Sequence, residues 1–276
     1  MMKTGLYIVA TPIGNLNDIS ARAIEVLSKS EIVACEDTRV TKKLFSLLGI
    51  SLKKNFISLH NFNEEEQAPK VIEIVESGKS VALVSDAGSP LISDPGYKLI
   101  KKCKDAGIYI CTIPGCCAFI CALQLSGLPT NKFMFAGFIP NKEKARKDFF
   151  EGLKKLDATL IFYETAPRIL KTLQAAKEVF GSREMSVARE ITKMYEECLT
   201  SDADSLIAHF EAKEPKGEMV FMVAPFDGDI NEGLDVEKIL KEKLKDSSLK
   251  DAVKEVVKEY KLNKNEVYEM ALRIKQ

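Results

Sequence analysis

The chain has 276 residues, and its 40 Lys and Arg are balanced by 40 Asp and Glu, so its formal net charge is zero. Hydrophobic residues make up 46% and charged residues 29%, ordinary globular usage that excludes a disordered or collagen-like chain. The balance argues against holding nucleic acid or membrane by bulk attraction, while leaving room for a local basic patch; two histidines, His60 and His209, argue against a His-rich metal centre.

Short apolar runs alternate with amphipathic segments through the first half. Leu6–Ala10 reads as a buried strand, followed by a Pro/Gly/Asn turn and a helix carrying Ala23, Ile24 and Leu27. Strands are expected at Ile32–Cys35, Phe56–Leu59, Val81–Ser85 and Ile108–Ile113, with helices through Leu44, Leu47 and Leu48 and through Val71, Ile74 and Val75. Strands alternating with helices imply βα units and a mainly parallel, twisted sheet, whose ligands sit outside the carboxyl ends of the strands. After Pro129 the pattern restarts. Strands are expected at Phe133–Gly137, Leu160–Tyr163, Met185–Ala188 and Met219–Val223, with helices at Lys142–Leu156, from Ile169 to near Gly181, and at Leu206–Phe210. From about Asp235 three short segments keep helical spacing, joined to the rest by the polar stretch Phe226–Gly233. The reading is an α/β protein with domains at 1–129 and 130–226 and a small helical module at 235–276.

Seven scattered cysteines without metal-type spacing read as free thiols, with Cys116, Cys117 and Cys121 small apolar fillers near a helix start. Free thiols, the lack of a signal-type N-terminus and the lack of a long uncharged apolar run point to a cytoplasmic protein with no membrane partner.

Four loops follow strands where a site would lie. Thr11–Leu16 holds Pro12, which fixes φ, and Gly14, which lets a ligand approach the backbone, but it lacks the spacing of a dinucleotide fingerprint. Ser85–Gly96 packs two Asp, two Gly and two Pro straight after the most apolar strand, more than a chain reversal needs. Asp94-Pro95 reads as an N-cap and first turn for the next helix, which leaves Asp86 to Ser89 as the ligand-binding part. Ile113–Ala118 and Phe162–Arg168 are the other two; in the last, Glu164 and Arg168 are spaced to pair with each other. Asp37, which closes the second strand, fits a helix N-cap as well as a site carboxylate, and Lys142, Lys144, Arg146 and Lys147 form the densest basic run outside the tail.

The strings TPIGNLNDIS, ACEDTR, SDAGSPLISDPG, IPGCCA, GF–P, FYETAPR and REITK occur in one order between residues 11 and 193. That series resembles the small-subunit ribosomal RNA methyltransferase I family, a branch of the tetrapyrrole-methylase (class III) group. The resemblance covers Gly5 to about Ala224, and the tail is similar to that family's helix-turn-helix-like module. It implies a two-domain tetrapyrrole-methylase-like fold with S-adenosyl-L-methionine in the interdomain cleft. It also implies a homodimer that methylates the ribose 2′-hydroxyl of a cytidine in the decoding region of 16S rRNA of the small ribosomal subunit. Carried over residue by residue, Pro12 and Gly14, then Ser85, Asp86, Ala87 and Gly88, then Gly115 with Ala118, and Tyr163 are implied to hold the cofactor, with Gly217 and Glu218 as weaker candidates. A carboxylate at a strand end could serve as general base; Asp37, Glu36 and Glu190 are the candidates, with Asp37 preferred. Arg39, Arg168, Arg189 and Lys193 near the cleft, with Lys144 and Arg146, would meet phosphates; no metal is expected. Two other readings stay open at this point: a methyltransferase for tetrapyrroles, and a ribosome-binding protein without catalysis.

Overall fold

The structure, a computed structural model, describes residues 2–213, 215–228, 235–260 and 262–275. Strands β1 (Leu6–Val9), β2 (Ile32–Cys35), β3 (Asn55–Ser58), β4 (Val81–Val84) and β5 (Ile110–Ile113) form an all-parallel sheet in the order β3-β2-β4-β1-β5. Its central strands are apolar at nearly every position because both faces are covered. Tyr7, Val9, Val33, Cys35, Ala82 and Val84 point to one face and pack with helices α1 (Ala21–Lys29) and α2 (Thr38–Leu47). Their alternates Leu6, Ile32, Ala34, Val81 and Leu83 point to the other and pack with α3 (Glu64–Glu76) and α4 (Tyr97–Asp105).

That arrangement fixes where a ligand can enter. The chain leaves β1 in one direction, toward β2, and leaves the neighbouring β4 in the other, toward β5. Right-handed crossovers then place α1 and α4 on opposite faces, so the loops after β1 and β4 diverge and open a crevice. The Thr11–Leu16 and Ser85–Gly96 loops stand on either side of it.

The second sheet takes β6 (Phe133–Phe138), β7 (Thr159–Thr165), β8 (Met185–Arg189), β9 (Glu197–Ser201) and β10 (Glu218–Val223) in the order β6-β7-β10-β8-β9. Only β6 and β7 are parallel; β10 runs antiparallel to both β7 and β8, and β9 antiparallel to β8. The strand β9 has no counterpart in the sequence reading, because ECLTS is polar at both ends and only half-buried at the sheet edge. Helices α6 (Glu143–Glu151), α7 (Ile169–Phe180) and α8 (Ala203–Ala212) cover one face around Phe150, Phe162 and Phe221. The opposite face is covered by α5 (Ala118–Ser126), which lies before Pro129 in sequence yet packs Ala122 and Leu123 on Ile161, Ala188, Val220 and Met222. The chain therefore changes sheets at the start of α5, and the two sheets share one compact unit, Met1–Pro225.

The second unit, Phe226–Gln276, holds α9 (Val236–Asp246), α10 (Leu249–Tyr260) and α11 (Lys264–Lys275) around Leu240, Val253, Val256, Val267 and Ala271. Asp235 caps α9 by accepting from the Lys238 amide at 2.9 Å. Of the polar stretch read as a joint, residues 229–233 lie outside the described residues. Among the described residues no helix is long and apolar enough to cross a membrane, and no group of His, Cys, Asp and Glu is arranged to hold a metal ion.

Candidate active site

A cleft of about 250 Å³ opens where the carboxyl end of the first sheet meets the second. The first sheet contributes Ile13, Asp86–Ser89 and Ile92–Asp94. From the start of α5 come Cys117 and Ala118; the second sheet adds Phe138, Tyr163, Glu190, Lys193 and Glu218. The β1 and β4 loops are stitched together: Thr11 donates its amide to the Gly88 carbonyl at 2.8 Å and receives the Gly88 amide at 3.1 Å. Gly88 makes this possible at φ +80°, where a side chain would be strained and would also press on Ile13 Cγ2 at 3.3 Å. Ser89 ties the same loop to α5 by donating its hydroxyl to the Cys116 carbonyl at 2.9 Å.

Among the described residues the non-glycine positions with positive φ are Leu91, Ser93, Glu190 and Thr192. All four lie in two loops that border the cleft. Backbone held in this region costs of order 1–3 kcal/mol per residue, and such strain concentrates where a site must be shaped. Gly217, at φ +86°, lies so close under Glu190 that an added Cβ would sit 2.2 Å from its Oε1. Glu190 is thereby held over the cleft, paired with Lys193 at 2.9 Å.

The SDAGSPLISDPG loop folds differently from its sequence reading at one point. Asp94 does not cap the next helix. The N-cap of α4 is Gly96, which has no side chain, and the free amide of Leu99 is taken instead by buried Glu64 from α3, at 2.8 Å. Asp94 is left facing the cleft. Burial raises its carboxyl to about 6, with Glu36, Asp86 and Glu218 pushing the same way and a Ser85 hydrogen bond opposing them. Sequence reasoning missed this residue because Asp-Pro before a helix has an adequate structural explanation.

Of the expected cofactor residues, Asp86, Ala87, Gly88, Ala118 and Tyr163 line the cleft. Ser85 lies buried behind it, its hydroxyl bonded to the Ala87 carbonyl at 3.2 Å. Pro12, Gly14 and Gly115 are not among the lining residues. Gly14 serves a contact between the sheets, since a Cβ there would meet Lys193 Cγ at 2.6 Å and Thr192 Oγ1 at 2.8 Å. Gly115 lets its loop lie against Ala10, whose Cβ an added Cβ would approach to 2.9 Å. The weaker candidate Glu218 does line the cleft, while Gly217 only seats Glu190. Tyr163 stacks its ring edge-on against Phe135 at 4.9 Å, and burial raises its hydroxyl well above the ordinary tyrosine range, so it stays protonated.

Asp37 takes the structural option its position allowed. It is the N-cap of α2, accepting the Arg39 amide at 2.8 Å, and it pairs with the Arg39 guanidinium at 2.6 Å. Those hydrogen bonds hold its carboxyl at about 2. Its own amide donates to Asp86 Oδ1 at 3.0 Å, so Asp37 steadies the cleft from behind.

The proposed phosphate contacts divide. Lys144 is exposed and Lys193 lines the cleft. Arg146, read as part of the basic face, is instead buried at 4% exposure: one helical turn before buried Phe150, it shares that residue's inward stripe and donates to the Asn141 carbonyl at 3.4 Å. It does not present its charge to a phosphate. Arg168 pairs with fully buried Glu164 at 3.1 Å and donates to the Ile139 carbonyl, and Glu164 is fixed again by Thr172 at 2.6 Å. Arg189 donates to Glu197 at 2.5 Å. Both arginines are engaged in holding the second sheet and its loops.

Residues 5–207 match the family described as Tetrapyrrole (Corrin/Porphyrin) Methylases, and residues 231–275 match the RsmI C-terminal HTH domain. Ribosomal RNA small subunit methyltransferase I of Erythrobacter litoralis is 48% identical over 274 residues, spanning 99% of this chain and 96% of that relative. The chain belongs to the ribosomal RNA small subunit methyltransferase I family. The member from Bacillus subtilis is 40% identical over 98% of this chain and 94% of its own length. Among solved structures, the methyltransferase CobJ is similar at a TM-score of 0.60 with 16% identity, over 80% of this chain and 94% of that one. Diphthine synthase matches at 0.60 with 17% identity, over 79% and 89%. At these identities the likeness is one of fold.

Proposed function

We propose that this chain transfers the methyl group of S-adenosylmethionine to the ribose 2′-hydroxyl of a cytidine in the decoding region of 16S rRNA. Its coarser part, methylation of ribosomal RNA, is supported by relatives of that name at 40–48% identity along nearly the whole chain. The observation that carries the site is the cleft at the switch point. It combines small walls (Ala87, Gly88, Ala118), an apolar side (Ile13, Ile92, Tyr163, Val220) and the carboxylates Asp86, Asp94, Glu190 and Glu218.

These residues suit S-adenosylmethionine. The small and apolar side chains match an adenine and a thioether stem, and a ring of carboxylates favours a sulfonium and an ammonium. When bound, the cofactor supplies an electrophilic methyl carbon on a positively charged sulfur. Asp86 and the amide of Ala87 would hold its polar groups, with Tyr163 and Ala118 closing the far side. The protein's part is then to place a hydroxyl in line behind that carbon and to exclude water; positioning of this kind is worth several kcal/mol.

Lys193 at the rim and Lys144 on α6 are the expected phosphate contacts. With no net charge, the protein would recognise shape in a structured ribosomal site more than charge density. The chain is expected to act in the cytoplasm as a homodimer; Phe133, Met134 and Phe138, exposed on the edge strand β6, supply apolar surface for such an interface. The test is transfer of labelled methyl to isolated 30S subunits, naked 16S rRNA and a tetrapyrrole precursor. Labelling of RNA supports the reading. Labelling of the tetrapyrrole alone, or of nothing while the cofactor binds, refutes it.

A further inference from the structure

The methyl transfer proposed above releases a proton from the attacking hydroxyl; Asp86, Asp94, Glu164, Glu190 and Glu218 line the cleft, with Glu36 and Asp37 beside it. Glu36 is not among the lining residues, Glu164 is held by Arg168 at 3.1 Å and by Thr172 at 2.6 Å, and four others are engaged or open to solvent. Asp37 caps α2 and is paired with Arg39 at 2.6 Å. Glu190 is paired with Lys193 at 2.9 Å, Asp86 receives the Asp37 amide at 3.0 Å, and Glu218 is exposed. Among the described residues no cation is paired with Asp94, Lys193 of the same cleft being paired with Glu190; the charged groups that bear on Asp94 are Glu36, Asp86 and Glu218, with the Ser85 hydroxyl as its hydrogen-bonding neighbour and the Tyr163 hydroxyl across the cleft.

Its setting is also unusual for a helix-preceding Asp-Pro. The turn that carries it is strained, with Leu91 at φ +73° and Ser93 at +65°. The helix it precedes is capped by Glu64 from another element. The fold thus relieves Asp94 of the cap and turns its carboxylate into the cleft.

We propose that Asp94 is the catalytic base that accepts the proton of the attacking ribose hydroxyl. This rests on the reading of the reaction given above. As the oxygen–carbon bond forms, the carbon–sulfur bond breaks and its electron pair returns to sulfur, leaving a neutral thioether; the hydroxyl proton passes to the Asp94 carboxylate and from there to solvent. Because neighbouring carboxylates and burial keep this group a better proton acceptor than an exposed Asp, it is ionised at neutral pH and still basic enough to assist.

The test compares wild type with Asp94→Asn and Asp94→Glu. Three quantities are read: kcat against pH from 5 to 9, S-adenosylmethionine affinity by calorimetry, and carboxyl titration of the ligand-free proteins by ¹³C NMR. Wild type should lose rate about tenfold per pH unit below about 6, matching a carboxyl that titrates near there without ligand. Asp94→Asn should lose that resonance and about 100-fold or more in kcat, with cofactor affinity falling far less than the rate, and Asp94→Glu should restore part of the rate. Unchanged kcat in Asp94→Asn, or cofactor affinity falling in step with rate, overturns the assignment. A wild type that methylates no ribose hydroxyl overturns the reading of the reaction itself, and the NMR titration still shows whether Asp94 is the perturbed group.

Discussion

A carboxylate kept among other carboxylates for chemistry should weaken the fold that holds it. The ordinary aspartate value is 3.8 and Asp94 stands at about 6 in the folded protein. Each tenfold change in proton affinity is worth about 1.4 kcal/mol, so its charged form costs the fold about 3 kcal/mol at neutral pH. Water reaches part of the carboxyl and screens this, so about half, near 1.5 kcal/mol, is the expected effect. The sign follows from proton binding. Between about pH 4 and 6 the folded state holds a proton that the unfolded chain has released, so stability falls as pH rises through that window and stays lower above it. Asp94→Asn removes the charge and keeps the shape. It should therefore raise the unfolding free energy by about 1.5 kcal/mol at pH 7.5 and change it little at pH 4, in urea titrations followed by circular dichroism. A variant equally stable or less stable than wild type at pH 7.5 would show that Asp94 is not the crowded, partly desolvated group described here.

Substitutions at three further positions probe other parts of the structure. Asp37→Asn keeps an N-cap for α2 and should leave kcat close to wild type, whereas Asp37→Ala should lower the melting temperature by an amount equivalent to about 1 kcal/mol; loss of turnover in the Asn variant would return the base to Asp37. Gly217→Ala combines a left-handed backbone with a Cβ 2.2 Å from Glu190 Oε1, so it should cost at least about 1 kcal/mol and displace Glu190; an unperturbed melting temperature would contradict that packing. Phe221→Ala empties a site stacked on Phe162 at 5.8 Å in the core of the second sheet, and should cost about 3–5 kcal/mol in denaturant titrations.

Much of the fold was legible because its signals are local. Val81–Val84 and Ile32–Cys35 are apolar at every position, which only a strand covered on both faces needs. What the sequence hid depends on contacts distant in the chain. The side of the second sheet that α5 covers is decided by packing with Val220 and Met222, about a hundred residues away. The site shows the same division. Asp86 to Gly88 stood out by composition, and Gly88 proves to be the stitch between two loops. Asp94 was concealed by a sufficient local explanation, which fails only because Glu64 reaches over from α3 to cap α4. Arg146 misled in the opposite way: Lys142, Lys144, Arg146 and Lys147 look like one basic surface in the sequence, and helical periodicity turns one of them inward.

Methyl transfer to a cytidine ribose stands or falls on the chemical identity of the product. Purified protein, 30S subunits and S-adenosylmethionine labelled in its methyl group are incubated, and the 16S rRNA is digested to nucleosides for mass spectrometry. The label is expected in 2′-O-methylcytidine from the decoding region. Label on a base, in a different nucleoside, or absent from RNA while the protein binds S-adenosylmethionine would contradict it.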